Sequence, residues 1–148
     1  MKRLIIAVQK SGRLQEGSLE LLRECGLKVD YRNGQLKVIT PDYPSEILFL
    51  RNSDIPGYVA DGVVDLGIVG SNLLVEEESE TEIVLGLNFS KCRLSFAVPK
   101  NSKIRETANL EGTRIATSYP NSVRKFLSEK GITADIHTIS GSVEIAIL

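Results

Sequence analysis

Tryptophan is absent, histidine and methionine occur once each, and cysteine occurs twice in the 148 residues. With one histidine, His137, and no Cys/His spacing of the zinc type, a structural zinc site is excluded, and a Ser/His or Cys/His nucleophile system would have to depend on His137. That residue sits in ADIHTI, alternating with apolar neighbours, so it is expected to face solvent on a strand. Cys25 and Cys92 lie far apart and are expected to be buried, reduced thiols. The chain also lacks an excess of charge. Its 18 basic and 19 acidic side chains leave a formal net charge of -1, without the clustered basic surplus of a nucleic-acid binder. No apolar run approaches the roughly 18 residues of a membrane span. The run Leu4–Val8 is too short for a signal peptide and lacks a small-residue cleavage site. No nucleic-acid or membrane partner is expected, and the expected location is cytoplasmic.

Present instead is an alternation of strand-like and helix-like segments. LIIAVQ (4–9) reads as a strand. A helix follows, with Leu14, Leu21, Leu22 and Cys25 on one stripe and Gly26 as its stop. KVDYRNGQLKVIT has period-two alternation about Asn33-Gly34, the strongest short hairpin signal. PDYP is a loop. SEILFLR (45–51) is a buried strand. DIPGYVADGVV is a helix with Asp54 as N-cap and Pro56 in its first turn. DLGIVG (65–70) is a short strand, and SNLLVEEE is a helix capped by Ser71 or Asn72. The glutamates of EEESETEIV (Glu76, Glu77, Glu78, Glu80, Glu82) read as a solvated tract. VLGLNF and CRLSFAVP are two further strands, and PKNSKIRETANLEG is a polar excursion. TRIATSY (113–119) is a strand broken by Pro120. NSVRKFLSEKG is an amphipathic helix capped by Asn121 and stopped by Gly131. ADIHTI is a strand, and a last helix opens near Ser140. This order defines an α/β chain with a sheet largely covered by helices. Two lobes are expected, 1–92 and 93–148.

The chemistry-bearing residues gather where strands give way to helices. In α/β sheets, ligands sit beyond the carboxyl ends of strands, where helix N-termini present backbone N–H groups. Four junctions here are small or polar: Lys10-Ser11-Gly12-Arg13, Gly70-Ser71-Asn72, Thr117-Ser118-Tyr119-Pro120-Asn121, and Ser140-Gly141-Ser142. The first adds two cations, and Arg51 and Arg93 offer forked donors for phosphate or carboxylate oxygens. A single Gly-Ser turn is explained equally well by backbone needs, so the case rests on the set. QKSGR is not a P-loop, and no G-x-G-x-x-G is present. Among the carboxylates, Asp61 is expected to face solvent and Asp65 to fix a turn. Glu144 lies in a first helical turn, where it either complements the dipole or accepts hydrogen bonds from a sugar.

QKSGRL, SLELLRECG, LRNSDIPGYVADGVVDLGIVGSNLL, CRLSFAVP, EGTRIATSYPNSVRKFLSEKG and SGSVEIA together resemble the ATP phosphoribosyltransferase family, from residue 4 to about 146. QKSGRL is similar to the long-chain branch of that family, which carries a histidine-sensing domain. The resemblance implies two α/β lobes of the type II periplasmic-binding-protein kind with the active site between them. It implies joining N1 of the adenine of ATP to C1 of phosphoribosyl pyrophosphate, with Mg²⁺, in the first step of histidine biosynthesis. It further implies histidine as feedback inhibitor and a homo-oligomer, dimer or hexamer.

Matching residue by residue, the resemblance places Lys10, Ser11, Gly12 and Arg13 at nucleotide phosphates and Arg51 and Asp54 at the cleft edge. It places Gly70 and Ser71 after DLGIVG, where relatives often have Gly-Glu or Gly-Asp. Thr117, Ser118 and Tyr119 fall in the RIATSYP loop, and Ser140, Gly141, Ser142 and Glu144 near the substrate ribose. No catalytic side chain and no protein metal ligand is assigned. After SVEIA the family continues to a DLVSTG loop that cradles a phosphate, whereas this sequence stops at Leu148. A truncated core with an incomplete first lobe, exposed sheet edges and no activity alone is therefore expected. The alternative is a non-catalytic binding module of the periplasmic-binding-protein type for a small anion or nucleotide.

Overall fold

The computed structural model describes residues 2–141 and Val143. The expected residues Ser142 and Glu144, and the last helix, lie outside the described residues. The chain divides into two compact units, Met1–Cys92 and Arg93–Leu148.

The first unit is built on a four-stranded sheet of order β2-β3-β1-β4. Its strands are β1 (Leu4–Gln9), β2 (Lys37–Ile39), β3 (Ser45–Leu50) and β4 (Leu66–Gly67). β1 runs parallel to both β3 and β4, with Leu4 opposite Ser45 and Ile6 opposite Leu66. β2 closes the other edge antiparallel to β3. Because side chains alternate across a strand, β1 is buried on both faces and must be aliphatic throughout. Ile6 and Val8 join Ile47 and Phe49 under helix α1 (Arg13–Glu24), through Leu19 and Leu22. Ala7 turns the other way and packs with Ile55 and Val64. On that face, helix α2 (Ile55–Ala60) approaches so closely that a Cβ on Gly67 would sit 2.5 Å from Cγ2 of Ile55.

The core face of α1 is not the stripe expected. Gln15, Ser18, Leu19 and Leu22 are its buried residues, a clean i, i+3, i+4, i+7 set. Two are polar yet satisfied: Gln15 Nε2 donates to the Lys10 carbonyl at 2.8 Å, and the Ser18 hydroxyl donates to that of Leu14 at 2.6 Å. Cys25 falls at the C-cap, beyond the last turn, and both cysteines are exposed, against the expectation of burial. Gly26, at φ 89°, does end the helix.

The Asn33-Gly34 hairpin does not form. A turn is there, with Gly34 at φ 87° and Gln35 N–H donating to the Arg32 carbonyl at 3.1 Å. Lys37–Ile39, however, pairs with β3 across the PDYP loop. The Thr40 hydroxyl stabilises that loop by donating to Tyr43 O at 2.7 Å and lying 2.6 Å from Ser45 Oγ. At the same amino end of the parallel strands, beside the start of β1, Asp65 fixes its turn as expected. Its carboxylate accepts from Ile5 N–H at 2.8 Å and from Lys2 Nζ at 3.2 Å. The Ile5 amide first, then the Lys2 ammonium, hold this carboxyl below its usual range.

Helix α3 (Ser71–Glu76) takes Gly70 as its N-cap, in place of Ser71 or Asn72. Asp54 occupies the cap position of α2 but makes no side-chain capping bond; its carboxylate accepts from the Ser53 hydroxyl at 3.2 Å. Glu76, read as solvated, is buried. The two strands expected over VLGLNF and CRLSFAVP are not strands. Residues 80–99 pair with no sheet among the described residues, and Ile83, Val84, Leu85, Leu94 and Phe96 are exposed. Their β-prone composition has no neighbouring strand to pair with, and pairing is what makes a strand.

The second unit is smaller. β5 (Arg114–Thr117) and β6 (Asp135–Thr138) form a parallel pair joined by helix α4 (Pro120–Glu129). Val123 and Leu127 of α4 close the core with Leu110, which a single 3-10 turn over Thr107–Leu110 brings in. Pro120 is the first residue of α4, so the cap falls at Tyr119 and not at Asn121. Asn121 instead accepts from Arg124 Nη1 at 3.0 Å. His137 is exposed on β6, as expected, 2.9 Å from Asp135.

Candidate functional site

Two of the four predicted junctions, together with Arg51, belong to one sheet edge in the first unit. β3, β1 and β4 are neighbours and run parallel, so their carboxyl ends emerge side by side. From β1 comes Lys10-Ser11-Gly12-Arg13, from β3 comes Arg51 followed by the turn to Asp54, and from β4 come Gly70 and Ser71. The first two are pinned together directly, because Lys10 N–H donates to the Leu50 carbonyl at 2.8 Å.

The turn after β1 is closely specified. Gly12 stands at φ 86°, ψ -175°, a region essentially reserved for glycine. It allows the chain to leave β1 and enter α1 within three residues. The Gln15 side chain, bonded to Lys10 O, closes the turn from the helix side. The first intrahelical bond is that of Glu16 N–H to Gly12 O at 3.2 Å. The amides of Arg13, Leu14 and Gln15 precede it, and such first-turn donors are what a helix offers an anion. Lys10, Ser11, Gly12, Arg13, Arg51, Asp54 and Ser71 are exposed, and Gly70 is half-buried.

In the second unit, Thr117-Ser118-Tyr119 leave the carboxyl end of β5, and Ser140-Gly141 follow that of β6. Thr117 is paired with Thr138, and Ile139 N–H donates to the Thr117 carbonyl at 2.9 Å, so these residues share one edge. The Thr117 hydroxyl is buried and accepts from Tyr119 N–H at 2.9 Å, shaping the entry to α4. An open hollow of about 400 Å³ between α4 and β6, lined by Leu127, Ile132 and Ile136 among others, contains none of the predicted site residues. Arg93 is exposed and begins no strand. Among the described residues, no group of three His, Cys, Asp or Glu could hold a metal ion, and no helix is long and apolar enough to cross a membrane.

Sequence reasoning did not single out Gln15 or Ser90. Gln15, with Ser18, makes the polar half of the buried set on α1, and nothing in the sequence pattern sets it apart from solvent-facing residues. Ser90 donates its hydroxyl to Arg13 O at 3.3 Å across 77 residues of sequence, and nothing local announces it.

The fold and its strand ends define a class: an α/β protein whose glycines, hydroxyls and cations gather at the carboxyl edges of parallel strands. Comparison with known proteins narrows this. A family model described as HisG: ATP phosphoribosyltransferase matches residues 51–148. The ATP phosphoribosyltransferase of Cytophaga hutchinsonii is 54% identical over 143 residues, covering 97% of this chain and 50% of that protein. That of Parabacteroides distasonis is 50% identical over 143 residues, with the same coverage. A solved ATP phosphoribosyl transferase (HisG:HisZ) complex from Thermotoga maritima superposes with a TM-score of 0.66 at 26% identity, covering 98% of this chain and 68% of that one. The chain belongs to the ATP phosphoribosyltransferase family, and its fold is the periplasmic-binding-protein-like α/β fold of that neighbour. It spans about half the length of the curated relatives it matches.

Proposed function

We propose that this chain supplies the nucleotide- and phosphate-binding strand ends of an ATP phosphoribosyltransferase, acting in the first step of histidine biosynthesis. The observation that carries the reading is the single carboxyl edge that gathers Lys10–Arg13, Arg51–Asp54 and Gly70-Ser71. In the reaction, the lone pair on adenine N1 forms a bond to C1 of the phosphoribosyl group. The C1–O bond to pyrophosphate breaks, and its electrons leave with the pyrophosphate. Positive charge develops on the ribose and negative charge on the leaving group. The demands on the protein are alignment and charge stabilisation, with no side-chain nucleophile.

Lys10, Arg13 and the first-turn amides of α1 suit the triphosphate. Arg51 offers a forked donor at the adjacent strand end, and Asp54 and Ser71 accept from ligand hydroxyls or amines. Thr117, Ser118, Tyr119, Ser140 and Gly141 serve the phosphoribosyl partner from the second unit, with Ser142 and Glu144 assigned to the ribose. Mg²⁺ travels with the pyrophosphate and neutralises part of its charge. In the whole protein, histidine acts as feedback inhibitor, the chains assemble as a homo-oligomer, and the enzyme works in the cytoplasm.

Thermal shift on this polypeptide tests the reading. ATP and AMP are expected to raise Tm by binding the folded state, and Lys10→Ala together with Arg13→Ala to abolish the shift. A rise with amino acids and none with nucleotides overturns it.

A further inference from the structure

Gly17 stands in the second turn of α1, where alanine is ordinarily the better helix former. The space its side chain would fill is taken: a Cβ there would lie 2.6 Å from Cδ2 and 2.7 Å from Cε2 of Phe89. Phe89 belongs to the irregular stretch that ends the first unit. The residue after it, Ser90, bonds to the carbonyl of Arg13 at 3.3 Å. Residues 13 and 17 are one turn apart and so lie on the same face of the helix. Both contacts therefore fall on one stripe, at the N-terminal end of the helix. The residues flanking Phe89 take left-handed conformations, with Asn88 at φ 59° and Ser90 at φ 50°. Such values are uncommon outside glycine and persist where surrounding contacts hold them.

We propose that residues 88–90 are a positioning strap for the turn Lys10–Arg13. The Phe89 ring, seated on Gly17, and the Ser90 hydroxyl, on the Arg13 carbonyl, fix the first turn of α1 from its outer side. Lys10 N–H and Gln15 fix the same turn from the sheet side. Held between the two, the turn keeps its amides and cations aimed at one point. Glycine at 17 is explained by this seat, because any larger residue would lift the ring and the strap with it. The proposal rests on the nucleotide reading above for what the turn binds, though not for the strap's hold on the turn.

The test compares Phe89→Ala, Phe89→Tyr, Gly17→Ala and the double variant Gly17→Ala/Phe89→Ala in the full chain. One readout is the set of amide NMR signals of Ser11, Gly12 and Arg13 without ligand; the other is ATP affinity by calorimetry. Phe89→Ala and Gly17→Ala should each shift those amides and weaken ATP about tenfold or more, the value of one charge-assisted hydrogen bond. The double variant should be no worse than Phe89→Ala, since both remove the same contact, and Phe89→Tyr should retain wild-type behaviour. Amides that stay in place in Phe89→Ala, or single effects that add in the double variant, overturn the strap whatever the wild-type affinity. A wild-type chain that binds no ATP overturns the nucleotide reading separately.

Discussion

Replacing Gly12 with alanine probes the turn on which the proposed site depends. The new Cβ would meet Gln9 Nε2 at 3.6 Å, an ordinary contact, so crowding is not the obstacle. The backbone is. At φ 86°, ψ -175°, an L-residue costs about 1–3 kcal/mol. Alanine's smaller unfolded-state entropy returns about 0.4–1 kcal/mol of that. If the turn keeps its shape, a net loss of about 1–2 kcal/mol remains. For a unit of this size melting cooperatively, this lowers Tm by about 4–15 °C while ATP affinity is kept. If the turn relaxes, stability is recovered, but the first-turn amides and Lys10 are displaced, and ATP affinity falls about tenfold or more. Scanning calorimetry and isothermal titration on the same sample separate the two. A variant that melts like the wild type and binds like it would refute the reasoning, because the conformation at residue 12 would then matter to neither.

Three further outcomes follow from the packing. Ile47→Ala empties a fully buried position in β3 and should cost about 2–5 kcal/mol, read as a lower urea midpoint with an unchanged m-value; a loss below about 1 kcal/mol would contradict the assigned core. Thr117→Val leaves Tyr119 N–H without the acceptor it has at 2.9 Å and should cost about 1–3 kcal/mol in the same assay. Asp65→Asn addresses the lowered carboxyl pKa, caused first by the Ile5 amide and then by Lys2. A depressed folded-state value stabilises above the unfolded value of 3.8 and is lost as pH falls through the folded one. The wild type should therefore exceed Asp65→Asn in stability at neutral pH, with the difference vanishing in acid; a constant difference from neutral pH down to pH 2 would count against the ion pair.

Much of the fold is legible in the sequence wherever a single element decides its own fate. Leu4–Val8 reads as a doubly buried strand because nothing polar interrupts it, and the small-residue junctions after β1, β4 and β5 are visible as such. Legibility fails where a distant partner decides. Asn33-Gly34 makes a turn, yet Lys37–Ile39 chooses β3 as its neighbour, a pairing set across the PDYP loop. Gln15 and Ser18 look like solvent-facing residues but are core, because each finds a carbonyl within its own helix or the turn before it. Cys25 continues the leucine stripe on paper, but the helix has ended at Glu24. In the candidate site, the residue types were readable. Which junctions share an edge required the strand order, and the contribution of Ser90 required the folded chain.

The register of the central sheet also governs how the molecule is made. β1 finds its neighbours at Ser45–Leu50 and then at Leu66–Gly67, so both pairings close long loops, whereas β6 meets β5 at Arg114 opposite Asp135 after a much shorter excursion. Loop closure costs entropy that grows with length, and non-local contacts slow folding. On a ribosome, Ala7 and Val8, both fully buried in the folded unit, emerge ahead of both partner strands and stay in water until Leu50 has cleared the exit tunnel. Of the strands in this sheet, β1 waits longest for its neighbours and is the one most in need of a chaperone.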